Sequence, residues 1–166
     1  MKVLVPLDGS SAAFAAVSHL KALAATGLPV EAVLLNVQLR FSRHIARHTS
    51  RAARDGLRAE RSARALAPAM NVLSRHRIAF AAVTERGAPA ERIACIAERE
   101  RVDEIIMGVG RHPRWLRWLN PSIAQEVMQR TDIPVTILAR GRVSRLERYA
   151  MPIGLAGVAA LLLTAD

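Results

Sequence analysis

The stretch that decides the fold is MKVLVPLDGSSAAFAAVSHLKALAATGLPVEAVLLNVQL, residues 1–39. Within it, residues 2–7 are a short apolar run, which predicts a buried strand. Ser10 or Ser11 caps a predicted helix that continues to about Thr26. A second apolar run at residues 30–39 predicts another strand. Strand, helix and strand in this order form a βαβ unit, whose right-handed crossover makes the two strands parallel.

The same alternation continues to residue 139. Strands are predicted at residues 78–83, 102–107 and 133–139, and helices at residues 42–75, from Pro89 to about Arg101, and from Asn120 to Arg130. Residues 85–89 are predicted to form a loop. The pattern therefore predicts an α/β fold with one five-stranded parallel sheet and helices on both faces.

The predicted helix at residues 42–75 carries an apolar stripe and an arginine stripe, and Pro68 predicts a kink or a break in it. The apolar stripe is Ile45, Thr49, Ala52, Gly56, Ala59, Ala63, Leu66, Met70 and Leu73. The arginine stripe is Arg43, Arg47, Arg51, Arg54, Arg58 and Arg61. Two residues turn a helix by about 200°, so the arginines are predicted to point away from the buried face. A solvated face and a dedicated anionic surface both agree with this pattern.

The formal net charge is +10, and almost all of the positive charge is arginine. A basic balance favours anionic partners such as a nucleotide, a nucleic acid or a lipid surface. Genome composition explains a chain rich in arginine and alanine equally well. The single cysteine, Cys95, excludes an internal disulfide and a cysteine metal cluster, and its apolar surroundings predict an inert core thiol. The chain begins at once with a strand, which leaves no room for a secretory signal, so a cytoplasmic location is predicted.

No motif indicates a dedicated catalyst. Ser10 and Ser11 have no neighbouring base, and the histidines lack metal-ligand spacing near carboxylates. His44 and His48 are four residues apart but lie among arginines, which would repel a cation. We therefore expect no metal site, and slow ATP hydrolysis at most.

The composition changes after residue 140. A basic segment precedes an uncharged apolar run at residues 150–165. As a helix, this run would span about 24 Å, less than the roughly 30 Å hydrocarbon core of a bilayer. Packing against the domain or a partner subunit is one interpretation, and membrane contact is the other. Two regions are thus expected: an α/β domain at residues 1–140, and a basic segment with an apolar tail at residues 141–166.

Five short motifs resemble those of the universal stress protein family, in the correct order and spacing. They are KVLVPLDGS at residues 2–10, LLNV at 34–37, GAPAERI at 87–93, DEIIMG at 103–108 and TDIPVTIL at 131–138. The resemblance covers residues 1–140. It implies a strand order of 3-2-1-4-5, a role in stress responses and a homodimer formed through the last strand, Val135–Ala139. A subset of the family binds ATP in the crevice between strands one and four, where an open parallel sheet also favours a ligand.

The resemblance transfers this nucleotide site to the present sequence residue by residue. Pro6, Asp8 and Val37 match the positions near the adenosine. The phosphate-binding motif runs glycine, two residues, glycine, nine residues, glycine, then serine or threonine. Its matching positions are Met107, Gly108, Gly110, Arg111, Ser122 and Ile123, with Gly110 one place early.

Two departures alter the phosphate end of this site. Arg111 and Pro121 stand at the second and third glycine positions. An arginine restricts close backbone approach, and a proline removes an N–H from the helix start. Arg111, His112, Arg114 and Arg117 could instead hold phosphate through side chains. Trp115 and Trp118 could stack on a base or pack on the protein.

The sequence thus favours a stress-response binding protein with weak or absent adenine nucleotide binding. The alternative is an interaction protein that binds nucleic acid or membrane through the arginine stripe and the tail.

Overall fold

Five parallel strands form one sheet in the computed structural model, which describes residues 1–39, 48–109 and 121–139. The side chains of Pro121, Ser122 and Ala139 also lie outside the description. The strands are β1 (Lys2–Pro6), β2 (Glu31–Gln38), β3 (Ala79–Arg86), β4 (Glu104–Val109) and β5 (Val135–Ala139). Their order across the sheet is β3-β2-β1-β4-β5, and every neighbouring pair is parallel. The predicted fold class and strand order are confirmed.

Helices cover both faces of this sheet. In the described part of the chain they are α1 (Ala13–Ala25), α2 (Arg51–Arg75), α3 (Pro89–Arg99) and α4 (Pro121–Met128). Helix α1 contacts α2, and α3 contacts α4, so each face of the sheet carries a pair of helices.

The core lies around the three central strands, whose side chains are buried on both faces. Leu4, Leu34, Leu35, Ile105 and Ile106 are fully buried. Each such side chain contributes roughly 1.5–3 kcal/mol by leaving water. Burial on both faces is the reason that these strands are continuous apolar runs rather than alternating ones.

The turn before α1 is held by short-range hydrogen bonds. The Ser10 hydroxyl accepts a hydrogen bond from the Ala13 N–H at 3.1 Å. The N-cap position itself is Ala12, and not Ser10 or Ser11 as predicted. The Ser10 N–H donates in turn to Asp8 Oδ1 at 2.8 Å. The helix itself begins at Ala13, slightly later than predicted.

Helix α2 differs from its prediction in both start and continuity. The predicted helix over residues 42–75 begins at Arg51, because the Ser50 hydroxyl accepts from the Ala53 N–H at 3.1 Å and caps it there. Residues 42–47 lie outside the described residues. Of the kink or break predicted at Pro68, the break is wrong, since α2 continues through this residue. Pro68 is exposed, so water can satisfy the Arg64 carbonyl that the proline ring leaves without a donor.

The predicted apolar stripe of α2 is also wrong in the N-terminal half. Ala52, Gly56, Ala59 and Ala63 are exposed, whereas the buried residues are Ser62, Leu66, Ala69 and Leu73. Towards the N-terminus of α2, the buried residue before Leu66 is Ser62, four positions earlier, and not Ala63, three positions earlier. One residue of shift is about 100° of rotation, so the packed face carries polar residues that a hydrophobic pattern passes over.

Two smaller predictions need correction. Strand β3 continues to Arg86 in register with Gln38, so residues 85–86 are strand and not loop. Cys95 is exposed and not a core thiol, because α3 buries Ile93 and Ile96 on its other side.

Candidate functional site

A small apolar crevice opens where β1 and β2 end and α3 begins. It is lined by Pro6, Leu7, Asp8, Leu35, Val37, Pro89 and Ile93. Its cavity volume is about 20 Å³, which is room for about one water molecule. The crevice lies at the carboxyl edge of the parallel strands, where open α/β sheets place their ligands.

Three of the predicted site residues meet in this crevice. Pro6 is the last residue of β1, Asp8 follows it, and Val37 comes from the neighbouring strand β2. Asp8 is half-buried, and its Oδ1 accepts the hydrogen bond from Ser10. The described residues provide no hydrogen bond to its Oδ2. The crevice is thus an apolar pocket with one oriented carboxylate, a combination that suits an aromatic base beside a hydroxyl donor.

The sequence prediction missed four residues of the crevice. Leu35 precedes Val37 by two residues and therefore shares its face of the sheet. Pro89 and Ile93 are four apart in the first turns of α3, so they lie on one side of that helix. Leu7 completes the lining. The spacing of two residues in the strand and of four in the helix could have indicated that these residues lie on the crevice side.

A buried polar chain fixes the loop that carries Asp8. Asn36 is buried, and its Nδ2 donates to the Leu7 carbonyl at 2.7 Å. Gln38 Nε2 donates both to Asn36 Oδ1 at 3.1 Å and to the Arg58 carbonyl at 2.8 Å. These bonds connect the loop after β1, the end of β2 and the helix α2 across one face of the sheet. The loop that carries Asp8 is therefore held by hydrogen bonds on the α2 face of the sheet, opposite the crevice on the α3 face.

Gly108 has a packing role that the sequence did not indicate. A Cβ atom at this position would lie 1.9 Å from the Ala12 carbonyl oxygen and 2.9 Å from the Ala13 Cα. The backbone at the start of α1 therefore rests directly on β4, an approach that only glycine permits. Met107 is fully buried beside it, and neither residue lines the crevice.

The other predicted phosphate residues are described only in part. Ile123 lies in α4 and packs half-buried against the core. Ser122 is in the first turn of α4, but its side chain lies outside the description. Gly110 and Arg111 lie outside the described residues. The described structure thus brings together the adenosine end of the predicted site and leaves the phosphate end as a prediction.

The predicted arginine surface is only partly exposed. Arg51 and Arg61 are exposed and Arg54 is half-buried, whereas Arg43 and Arg47 lie outside the described residues. Arg58 contradicts the prediction, because its side chain is only 15% exposed and its Nη1 lies 3.0 Å from Asp55 Oδ1. It belongs to the packed face, since the packed line steps from Ser62 by four residues to position 58.

A wider groove of about 610 Å³ opens at the opposite, amino edge of the sheet. Two hydrogen bonds connect the segments that line it. The Met1 amine donates to the Pro29 carbonyl, and the Lys2 N–H donates to Asp103 Oδ2. Nearby, the Lys2 ammonium lies 3.3 Å from Glu100 and lowers the pKa of that carboxyl. By volume, this groove would be the better candidate for a ligand site. Open parallel sheets bind their ligands at the carboxyl edge, however, so the small crevice is preferred as the candidate site.

Among the described residues, no group of three or more histidine, cysteine, aspartate or glutamate side chains could hold a metal ion. No helix in the same residues is both long and apolar enough to cross a membrane. The apolar run at residues 150–165 lies outside the described residues.

Comparison with known proteins identifies the family. The model of the universal stress protein family matches residues 1–139. The chain belongs to the universal stress protein family. No curated protein matches this universal stress protein in sequence.

Solved structures share the fold of this universal stress protein. The hypothetical protein MJ0577 is 28% identical, with a TM-score of 0.67, and the match covers 85% of this chain and 96% of that one. A universal stress protein in complex with cAMP is 22% identical, with a TM-score of 0.59 and coverage of 83% and 96%. A family protein from Arabidopsis thaliana with AMP bound is 17% identical, with a TM-score of 0.60 and coverage of 85% and 92%.

We predict that Gly108→Ala destabilises this universal stress protein by about 3 kcal/mol, because the new methyl group meets backbone that cannot move aside alone. Urea unfolding of the two proteins measures the difference. Gly56→Ala is the matched control: nothing lies within 4 Å of a Cβ there, and Gly56 is exposed in α2. It should stabilise by about 0.5–1 kcal/mol. A Gly108→Ala variant as stable as the parent would contradict the close approach to Ala12.

Proposed function

We propose that this chain is a stress-response binding protein that acts as a homodimer and binds an adenine nucleotide weakly at the carboxyl edge of its sheet. The observation that carries the proposal is the meeting of Pro6, Asp8 and Val37 in one apolar crevice. Universal stress proteins of the same fold bind cAMP and AMP, which supports an adenine nucleotide as the ligand.

The crevice also supports weak rather than tight binding. A cavity of about 20 Å³ cannot take a base without movement of the side chains at its rim. That movement reduces the binding free energy. At the phosphate end, Arg111 and Pro121 stand at two glycine positions of the family motif. Pro121 lacks a backbone N–H for a phosphate, and Arg111 restricts the close approach of the backbone to it.

Asp8→Ala should weaken AMP and ATP binding about tenfold, because a hydrogen bond from the ligand to a carboxylate is lost. Isothermal titration calorimetry measures the dissociation constants. Asp132 is exposed after α4 and is absent from the crevice lining, so Asp132→Ala is a control with the same change of charge. Equal affinities for the parent and both variants would rule out the crevice as the nucleotide site.

The same titration tests the phosphate end. Arg111→Gly combined with Pro121→Gly should strengthen ATP binding more than AMP binding, because only ATP carries the terminal phosphates. Tight ATP binding by the native protein, lost in this double variant, would show instead that Arg111 and Pro121 belong to a working site.

We also propose that the homodimer forms through β5, the edge strand next to β4. Ile137 is 37% exposed there. The Ile105 N–H donates to the Pro134 carbonyl, so in a parallel ladder the residues at even positions bond to β4. The backbone N–H groups of Val135 and Ile137 consequently point outwards, towards a partner strand.

Ile137→Pro should convert the dimer to a monomer, because it removes an outward donor while leaving the ladder to β4 intact. Ile137→Ala is the control: it truncates the same side chain but keeps the N–H, and should weaken the dimer less. Sedimentation equilibrium gives the masses. An Ile137→Pro variant that stays dimeric would place the interface elsewhere.

The location forms the last part of the proposal: a cytoplasmic protein whose residues 150–165 either pack against the domain or a partner subunit, or contact a membrane. The motivation for membrane contact is the basic segment followed by an apolar run. Fractionation of the full chain and of a chain ending at Arg140 distinguishes the two interpretations. A larger membrane fraction for the full chain supports membrane contact, and equal solubility rejects the tether.

A further inference from the structure

An unusual set of charges lies on the α2 face of the sheet, at its carboxyl edge. We name it the Asp55 cluster: Arg51, Asp55 and Arg58 of α2, and Arg86 at the end of β3. Asp55 Oδ1 lies 3.0 Å from Arg58 Nη1 and 3.1 Å from Arg86 Nη2, and Asp55 Oδ2 lies 3.9 Å from Arg51 Nε. In the described part of the chain, three guanidinium groups thus converge on one carboxylate.

The Asp55 cluster is graded from buried to exposed. Side-chain exposure rises from 15% at Arg58 to 41% at Asp55, 55% at Arg86 and 90% at Arg51. Arg58 is nearly buried and holds the Asp55 carboxylate from the protein side. Asp55 and Arg86 therefore lose little side-chain entropy when a ligand binds. The cluster is therefore preorganised and open to solvent on one side, as a binding site for a small ion requires.

The charges of the Asp55 cluster do not balance. Three arginines and one aspartate leave a charge of +2. Other ion pairs on the described surface balance in charge: Arg64 with Glu60 and Arg130 with Glu126 are one to one, and a four-residue network has two cations and two anions, Lys2, Arg99, Glu85 and Glu100. The first turn of α2 contains no acidic residue and begins with Arg51, although a helix N-terminus is itself positive. The helix dipole and Arg51 therefore repel each other, Asp55 offsets only part of the positive charge, and a bound anion would offset the rest.

We propose that the Asp55 cluster is a binding site for a phosphate group, specifically a phosphomonoester or inorganic phosphate. Such a group carries about −1.5 to −2 charges at pH 7, which matches the excess of the cluster. Arginine binds phosphate through two parallel N–H donors, and Arg86 gives one donor to Asp55 of the five it has. Arg51 adds an exposed guanidinium whose rotation about its side-chain bonds can bring it over the ion.

This site is separate from the nucleotide crevice. Arg86 and Thr84 contact α2, whereas Val37 and Ile93 line the crevice on the α3 face. The polar chain of Asn36 and Gln38 runs between the two sites inside the protein. The phosphate proposal consequently does not depend on nucleotide binding.

The test titrates the full chain with inorganic phosphate, followed by ³¹P NMR and calorimetry. Arg86→Gln should weaken binding about tenfold through the loss of a charge-assisted, bidentate contact. Arg64→Gln is the matched control: it removes the same charge from the exposed side of α2, outside the cluster, and should change binding less than about twofold. Equal loss in both variants, or no binding by the parent to either free phosphate or the phosphatidic acid vesicles described below, overturns the proposal.

Two further variants keep the result independent of folding and of the crevice. Asp55→Asn raises the cluster charge from +2 to +3 and retains a hydrogen-bond acceptor, so it should strengthen phosphate binding about threefold. Weaker binding would contradict the charge argument. Asp8→Ala should leave phosphate binding unchanged, and a loss there would assign the phosphate to the crevice and overturn the separate site.

Vesicles distinguish the source of the phosphate group. Phosphatidylcholine vesicles with and without phosphatidic acid are compared for sedimentation of the parent, Arg86→Gln and Arg64→Gln proteins. Binding of free phosphate that depends on Arg86 supports a small soluble ligand. Binding only to phosphatidic acid vesicles, with the same dependence on Arg86, supports a lipid headgroup, and a vesicle response without that dependence counts against the cluster.

Discussion

The close contact between the start of α1 and β4 at Gly108 sets the geometry of the carboxyl edge. In the order β3-β2-β1-β4-β5, the strands that follow β1 in the chain are first added on one side of it and then, from β4, on the other. The chain leaves β1 at this switch point. It can do so compactly only if α1 begins directly on the neighbouring strand. With the Ala12 carbonyl 1.9 Å from where a Cβ would stand on Gly108, the two backbones touch. The short loop between β1 and α1 is thereby fixed at its far end, while the bond from Asn36 to the Leu7 carbonyl fixes its near end. Asp8 is held between these two restraints.

The sheet divides the chemistry of this edge into two environments. On the α3 face, alternate residues of β1 and β2 and the first turns of α3 enclose an apolar space that admits little water. On the α2 face, the alternate set of β2 and β3 residues is polar: Asn36, Gln38, Thr84 and Arg86 all bond to the loop or to α2. The period of two along a strand therefore separates an apolar face from a polar one without any change of fold. The two proposed sites, one for an apolar ligand group and one for a phosphate, would lie on these separate faces.

The sequence predicted what depends on strong periodicity and failed where packing overrode hydrophobicity. The apolar runs predicted the parallel strands, and the family resemblance implied their order and the shared site of Pro6, Asp8 and Val37. The phase of α2 did not, because an alanine stripe looks buried while Ser62 and Arg58 look exposed. The structure reverses both, since the Ser62 hydroxyl bonds to Thr84 and Arg58 pairs with Asp55. A polar residue that finds a partner can be buried, and single-chain periodicity carries no information on partners. The role of Gly108 was hidden for the same reason, since Ala12 is distant in sequence.

The two ends of the predicted nucleotide site depend on different physical terms. The adenosine end relies on shape and on one carboxylate, both set by the rigid sheet edge. The phosphate end relies in the family motif on backbone N–H groups, which a side chain such as Arg111 replaces only by ordering itself. A flexible cation gives up side-chain entropy on binding, whereas a preformed backbone cradle does not. A chain with Arg111 and Pro121 in those places should therefore respond more strongly to ionic strength than a glycine-lined relative would, because its phosphate contacts are charge-based. In the proposed site, Arg111 and Pro121 would thus change the kind of interaction at the phosphate end as well as its strength.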